Sequence, residues 1–316
     1  MPQNSTDSIP LKRCRAIPMS TWTTISMTTR TGSLTKPKTI SMTTESGTGV
    51  NRITQAFSRA RVDGRAAFIA YITCGDPTLE RTKQLVLRFA DAGVDIVEFG
   101  VPFSDPMADG VANQEAANRA LKNNVSMGDV LRTAGELRAS GSELPVILFT
   151  YYNPVFAYGL ERFAKDAARN GVDGVLLVDV PPEEASECTH LLADAGLATI
   201  FLVAPTTDET RLAEILASTT GFVYYVSRAG VTGERTDLAS DVRDHVAKIR
   251  TQTDLPVAVG FGISTPDHVR RVAEVADGVI VGSAIVGRIG AGGDTDGMVD
   301  DVTSFVRELT RPLIER

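Results

Sequence analysis

The stretch DAGVDIVEFGVPFSDPMADG, Asp91 to Gly110, holds one complete structural phrase. Gly93 stops a helical pattern, because glycine enters the left-handed conformation that ends a helix without steric cost. Asp95–Phe99 is then mostly apolar, as a strand covered on both faces is in a parallel sheet. A loop containing Pro102, Pro106 and Gly110 follows. The same opening returns at Gly171-Val172-Asp173, and a related one, Ala276-Asp277-Gly278, starts another apolar run.

Working outward, the strand candidates are Phe68–Thr73, Asp95–Phe99, Val146–Phe149, Gly174–Val178, Ala198–Leu202, Phe222–Val226, Val257–Gly260 and Gly278–Val281. Helical-period segments lie between them, among them Leu79–Ala92, Leu160–Asn170, Glu183–Ala195, Glu209–Ala217, Val242–Arg250 and Pro266–Glu274. Eight such βα units predict an α/β fold, a single-domain (βα)8 TIM barrel, in preference to a doubly wound sheet. The roughly 250 residues usual for that barrel match the chain beyond residue 50. Helices near Gln114–Leu121 and Met127–Arg138 lengthen the second crossover as an insertion within the barrel.

Hydrophobic residues make up 43% of the chain, enough to fill a sizeable core. No apolar segment reaches the roughly 20 residues that span a bilayer, so no membrane association is expected. Residues 1–41 carry 15 Ser/Thr and six Lys/Arg against Asp7 alone, with no helical or strand periodicity. They are expected to form a disordered N-terminal extension, with residues 42–316 as the barrel. An upstream start, with Met42 opening the natural chain, is favoured over an organelle transit peptide.

Beyond residue 41 stand 26 Lys/Arg and 38 Asp/Glu, and only four of those bases are lysines: Lys83, Lys122, Lys165 and Lys248. That balance resembles proteins from salt-loving cells and argues against nucleic acid as a partner. Cys14, Cys74 and Cys188 have no CxxC spacing, which excludes a disulfide framework or thiolate zinc site and fits a reducing cytoplasm. His190, His245 and His268 fall within helices and are assigned to solvated faces.

In such a barrel, function sits at the C-terminal ends of the strands. Glu98 shares a strand side with Ile96, so it is expected to point into the barrel mouth. Burial raises the pKa of a carboxyl and suits it to general acid/base work near neutrality. Asp109, in the proline-held loop, is a second candidate, although residue type alone leaves it open between a functional and an ordinary loop carboxylate. Asp105, before Pro106, is expected to be a turn residue.

Gly260-Phe261-Gly262 ends the seventh strand, and Gly282-Ser283 ends the eighth and leads into a short helix, Ala284–Ile289. Glycines at two consecutive strand ends with a helix start predict a phosphate site, the competing reading being plain tight turns. Ser227–Thr236 carries two glycines and no apolar run, as a water-excluding lid or a simple surface connection would. Tyr71, Tyr151, Tyr152, Tyr224 and Tyr225 cluster at strand ends. An aromatic pocket between an acid and a phosphate grip implies a flat apolar substrate with a phosphorylated tail.

Glu98–Gly110, Ser227–Gly233, Gly260–Ser264 and Gly282–Val286 match, in order, the motifs ELGxPFSDPxADG, SRxGVTG, GFGIS and GSAIV. From about Asn51 onward the chain therefore resembles the tryptophan synthase alpha subunit family. The resemblance implies retro-aldol cleavage of indole-3-glycerol phosphate to indole and glyceraldehyde 3-phosphate. It gives Glu98 the proton transfers to indole C3 and from the glycerol hydroxyl, and gives Asp109 the indole N–H. It places Tyr71, Tyr151, Tyr224 and Thr232 near the substrate, and phosphate on Gly233, Phe261, Gly262, Gly282 and Ser283.

The resemblance further implies no metal or organic cofactor in this chain. The partner would be a beta subunit that alone holds PLP, in an αββα tetramer. A stand-alone lyase releasing free indole and a mainly allosteric, non-catalytic subunit are the alternatives. Two departures are visible: Tyr71 replaces a more usual phenylalanine, and Val111-Ala112-Asn113-Gln114 stands where many relatives have Pro-Thr-Ile-Gln.

Overall fold

The computed structural model describes residues 51–227, 238–260 and 262–315. The expectations for residues 1–41, for the lid segment after Ser227, and for Thr232, Gly233 and Phe261 lie outside the described residues. Eight strands form where the apolar runs stand: β1 (Ala67–Thr73), β2 (Ile96–Gly100), β3 (Val146–Thr150), β4 (Gly174–Leu177), β5 (Ala198–Val203), β6 (Val223–Val226), β7 (Val257–Gly260) and β8 (Gly278–Val281). They pair in parallel in chain order, and β8 closes on β1 as a barrel.

Alternation along each strand builds two cores. Inward residues Ile69, Ile96, Ile147, Leu176, Ile200 and Ile280 fill the barrel, while Val97, Phe99, Val146 and Leu148 face the surrounding helices. The floor is a helix preceding β1, Arg52–Val62. Its Ile53 and Phe57 join the inner core. A Cβ on Gly174 would come within 2.9 Å of Ile53, and one on Gly278 within 3.0 Å of Phe57. Those strand-opening glycines therefore leave room for the plug as well as following helix stops.

A polar clasp recurs at the floor, before every second strand. Asp95, ahead of β2, accepts from the Phe68 N–H of β1 at 2.8 Å. Asp173, ahead of β4, accepts from the Val146 N–H of β3, and Asp277, ahead of β8, from the Val257 N–H of β7, both at 2.9 Å. Ahead of β6 a neutral group does the same: Thr220 Oγ1 accepts from the Thr199 N–H of β5 at 2.9 Å. Each aspartate also meets arginine: Asp95 binds Arg65, Asp173 binds Arg138 and Arg52, and Asp277 binds Arg250. The Gly-Val-Asp phrase thus ends a helix, opens a strand and ties that strand to its neighbour.

Helix bounds shift modestly from expectation. The helix expected at Glu183 begins at Ser186, because Glu184 and Ala185 donate their N–H groups to the Pro181 and Pro182 carbonyls in a turn. The segment after Leu79 is α-helical to Phe89 and tightens into a 3-10 turn at Ala90–Ala92, with Gly93 left-handed at φ 85°. The insertion forms Val111–Lys122 and Met127–Ala139, the second started by a reciprocal Ser126–Asp129 capping box. The helix after β8 is longer than expected, Ser283–Gly292.

Candidate active site

Glu98 lies on β2 with its side chain turned inward, opposite Tyr71 of β1 and Ile147 of β3 in register. It is fully buried, and both carboxylate oxygens lack a hydrogen-bond partner among the described residues. Loss of water without a compensating cation pushes its pKa from the ordinary 4.5 up to about 8. The group is consequently a protonated acid at neutral pH.

Asp109 stands one loop further on, half-buried. Burial raises its pKa to about 6, opposed by a hydrogen bond from the Tyr151 hydroxyl. The same phenol oxygen accepts the Ala108 N–H at 3.0 Å, and Gln114 Nε2 donates to the Asp109 carbonyl at 2.8 Å. Side chain and backbone of this acid are thus both held. Asp105 instead is exposed, bonded to Ser104 at 2.6 Å, with its carbonyl taking the Met107 N–H. It behaves as the expected turn residue.

A cavity of about 600 Å³ opens at the C-terminal end of the barrel. Asp109 and Asn113 line one side, Tyr71, Phe149 and Tyr224 the walls, and Gly262, Gly282 and Ser283 the far side. Glu98 is not itself in the lining; its neighbour Tyr71 is, and Tyr71 packs edge-on to Phe149 at 5.3 Å. Two strand-end glycines make this possible. A Cβ on Gly100 would come within 2.1 Å of the Tyr71 hydroxyl, and one on Gly260 within 2.6 Å of the Tyr224 hydroxyl.

The far side of the cavity is built to receive an anion. Gly262 is left-handed at φ 75°, and Gly282 caps the helix Ser283–Gly292. The Gly282 carbonyl accepts from Ile285 and Val286. The preceding N–H groups, of Ser283 and Ala284, belong to the first turn, which has no intrahelical acceptors. Free N–H groups and the helix dipole favour negative charge there. Among the described residues no lysine or arginine lines the cavity.

The tyrosine cluster divides by role. Tyr71 and Tyr224 face the cavity. Tyr151 is buried behind Asp109, which it holds, and packs at a tilt against Phe103, ring centroids 5.3 Å apart. Tyr152 packs on Phe156. Tyr225 points the other way, into the layer between β6 and the outer helices, where it stacks on His245 at 5.5 Å. His245 is therefore half-buried, which corrects its assignment to a solvated face. His190 is exposed as expected, and the half-buried His268 accepts the Ser264 N–H at 3.4 Å. Phe149, Leu202 and Ser264 also line the cavity and were not singled out in the sequence. Their position at or just beyond strand ends was the available signal.

Outside comparison agrees with this geometry. The family model described as "Tryptophan synthase alpha chain" matches residues 57–312. The tryptophan synthase alpha chain of Opitutus terrae is 48% identical over 237 residues, 75% of this chain and 89% of that one. That of Chloroflexus aggregans is 45% identical over 260 residues, covering 82% and 97%. Among solved structures, tryptophan synthase subunit alpha from Legionella pneumophila superposes with a TM-score of 0.76 at 35% identity, covering 84% of this chain and 99% of that one. A family model spanning most of the barrel, together with relatives near half identity, leaves one assignment: this chain belongs to the tryptophan synthase alpha chain family.

Proposed function

We propose that the chain cleaves indole-3-glycerol phosphate to indole and glyceraldehyde 3-phosphate, as the lyase subunit of tryptophan biosynthesis. One observation carries the mechanism: Glu98 is a fully buried carboxyl without a partner among the described residues, beside a cavity whose far end suits an anion. The substrate phosphate lies on the N–H groups around Gly262, Gly282 and Ser283. The indole ring lies between Tyr71 and Tyr224, its N–H on the Asp109 carboxylate.

Protonated Glu98 delivers its proton to indole C3, and the ring nitrogen takes up positive charge. Ionised Asp109 stabilises that charge, most strongly where water is excluded. The Glu98 carboxylate then removes the proton of the glycerol hydroxyl on the carbon bonded to C3. The carbon–carbon bond breaks, its electrons restore the indole, and the aldehyde leaves. Glu98 ends protonated, ready for another cycle.

Incubating the purified chain with indole-3-glycerol phosphate and following indole release tests this. Turnover lost in Glu98→Gln supports the mechanism; turnover unchanged in that variant overturns it.

A beta subunit is the proposed partner, in an αββα tetramer. Met107, Val111 and Phe156, large apolar side chains exposed around the loops after β2 and β3, supply a surface for it. Co-elution with a beta subunit, with faster turnover, is the expected outcome; separate elution favours a stand-alone lyase. Free, buried Cys74 and Cys188 fit a cytoplasmic location, and the excess of 39 acids over 32 bases fits a high-salt interior. Residues 42–316 are proposed as the catalytic barrel, with residues 1–41 an extension that catalysis does not use.

A further inference from the structure

One polar group in the cavity wall has no part in the chemistry above: the carboxamide of Asn113. It lies in the first turn of Val111–Lys122, four residues after Asp109, and lines the cavity with it. Ala116, Ala117 and Ala120, three, four and seven residues on, are the buried positions of that helix. Asn113 therefore sits on the face turned to the barrel. Its backbone N–H donates to the Gly110 carbonyl at 3.0 Å, but Oδ1 is buried and has no partner among the described residues.

The nearby donors are committed elsewhere. Gln114 donates to the Asp109 carbonyl, the Tyr151 hydroxyl serves the Asp109 carboxylate, and the Tyr71 hydroxyl is directed at Thr73. Much of the remaining wall is apolar, including Phe149, Val178, Leu202 and Ile280. A leucine here would keep the volume and avoid the desolvation of an unmatched oxygen. An acceptor with no donor among the described residues, at a cavity wall beside the group that takes the ring N–H, is suited to a donor on the ligand.

We propose that Asn113 is a specificity-determining residue that accepts a hydrogen bond from a hydroxyl or amino group on a substituted indole ring. The cavity then takes indole rings bearing a hydroxyl or amino group at least as readily as the plain ring. This rests on the proposed reaction for placing the ring N–H on Asp109.

The test runs the reaction in reverse, condensing glyceraldehyde 3-phosphate with indole or with each benzo-ring hydroxyindole, in the wild type and Asn113→Leu. For at least one hydroxyindole, kcat/KM in the wild type should match or exceed that of indole. The ratio should fall roughly tenfold in the variant. Ratios equal in the two proteins within about twofold overturn the assignment. Asn113→Ala gives the same readout should leucine overpack, and calorimetric binding of the same indoles reads the preference without catalysis. Preference without turnover overturns the proposed reaction alone; turnover without preference overturns only the role of Asn113.

Discussion

Tyr151 donates its hydroxyl hydrogen to the Asp109 carboxylate while its oxygen accepts the neighbouring Ala108 N–H. The phenol fixes where the acid points and holds down a pKa that burial raises. Tyr151→Phe keeps the ring that packs on Phe103 and removes both bonds. Asp109 should then titrate higher, moving the acidic limb of kcat/KM upward in pH. Turnover at neutral pH should fall about tenfold, the scale of one hydrogen bond to a charge. A variant with lower turnover and an unmoved acidic limb would show that Tyr151 acts only through packing.

The two acids together set a pH window. Glu98 works protonated and loses its proton near 8, and Asp109 works ionised and gains a proton near 6. The profile of kcat/KM should therefore be a bell with limbs near those values, maximal between them. The phosphate of the substrate also titrates near pH 6. Asp109→Asn separates the two contributions on the acidic side: its residual activity should keep the Glu98 limb and, below it, only the limb that belongs to the phosphate.

Function costs stability at Glu98. The unfolded chain ionises this group near 4.5, whereas the fold holds it protonated to about 8. Stability contributed by the protonated form is complete below 4.5 and is lost as pH rises toward 8. At pH 7 the loss is on the order of 3 kcal/mol. Glu98→Gln removes that dependence, so its melting temperature should exceed the wild type's by several degrees at pH 7 and approach it near pH 4.5. Equal melting curves at both pH values would contradict the burial argument.

Tyr71 occupies the space that any side chain at Gly100 would need. Gly100→Ala should cost about 1–3 kcal/mol by overpacking and displace Tyr71 from the cavity wall. In a Tyr71→Ala background the same substitution should cost at least roughly 1 kcal/mol less, because the clashing atoms are gone. Denaturant unfolding of the four proteins in the cycle measures this coupling.

The floor clasps predict damage far from the chemistry. Asp173 is 4% exposed, paired with Arg138 and Arg52, and bonded to the Val146 N–H. Asp173→Ala leaves the half-buried Arg138 without its carboxylate and the Val146 N–H unmatched, and should destabilise by about 3–5 kcal/mol. The protein that remains folded at low temperature should keep its kcat and KM. A specific loss of turnover with normal stability would contradict a purely structural role.

What the chain's local patterns could settle, they settled. The β1–β8 runs, the inward aim of Glu98 and the glycine-rich ends of β7 and β8 follow from strand alternation, helix stops and residue conformational range, all written within a few neighbouring positions. Val111–Lys122 and the helix after β8 were legible in kind but not in extent, since helix ends are decided by what packs or caps them. The tyrosines were legible only as a cluster, because adjacent strand residues point to opposite faces and residue type alone does not say which side meets the cavity.

By itself, then, the sequence determined the eightfold βα order and put an acid inside the barrel mouth. Residue type left Asp109 open, and only the fold brought Tyr151, 42 positions later in the chain, within bonding range of it. Tertiary structure alone also set Tyr71 over Gly100, paired each floor aspartate with a strand 20 or 27 residues earlier, and left Asn113 Oδ1 without a donor among the described residues. The physical reason is the same throughout. Periodicity is a property of neighbours in the chain, whereas desolvation, close approach and hydrogen-bond partnership belong to groups that meet only when the barrel closes.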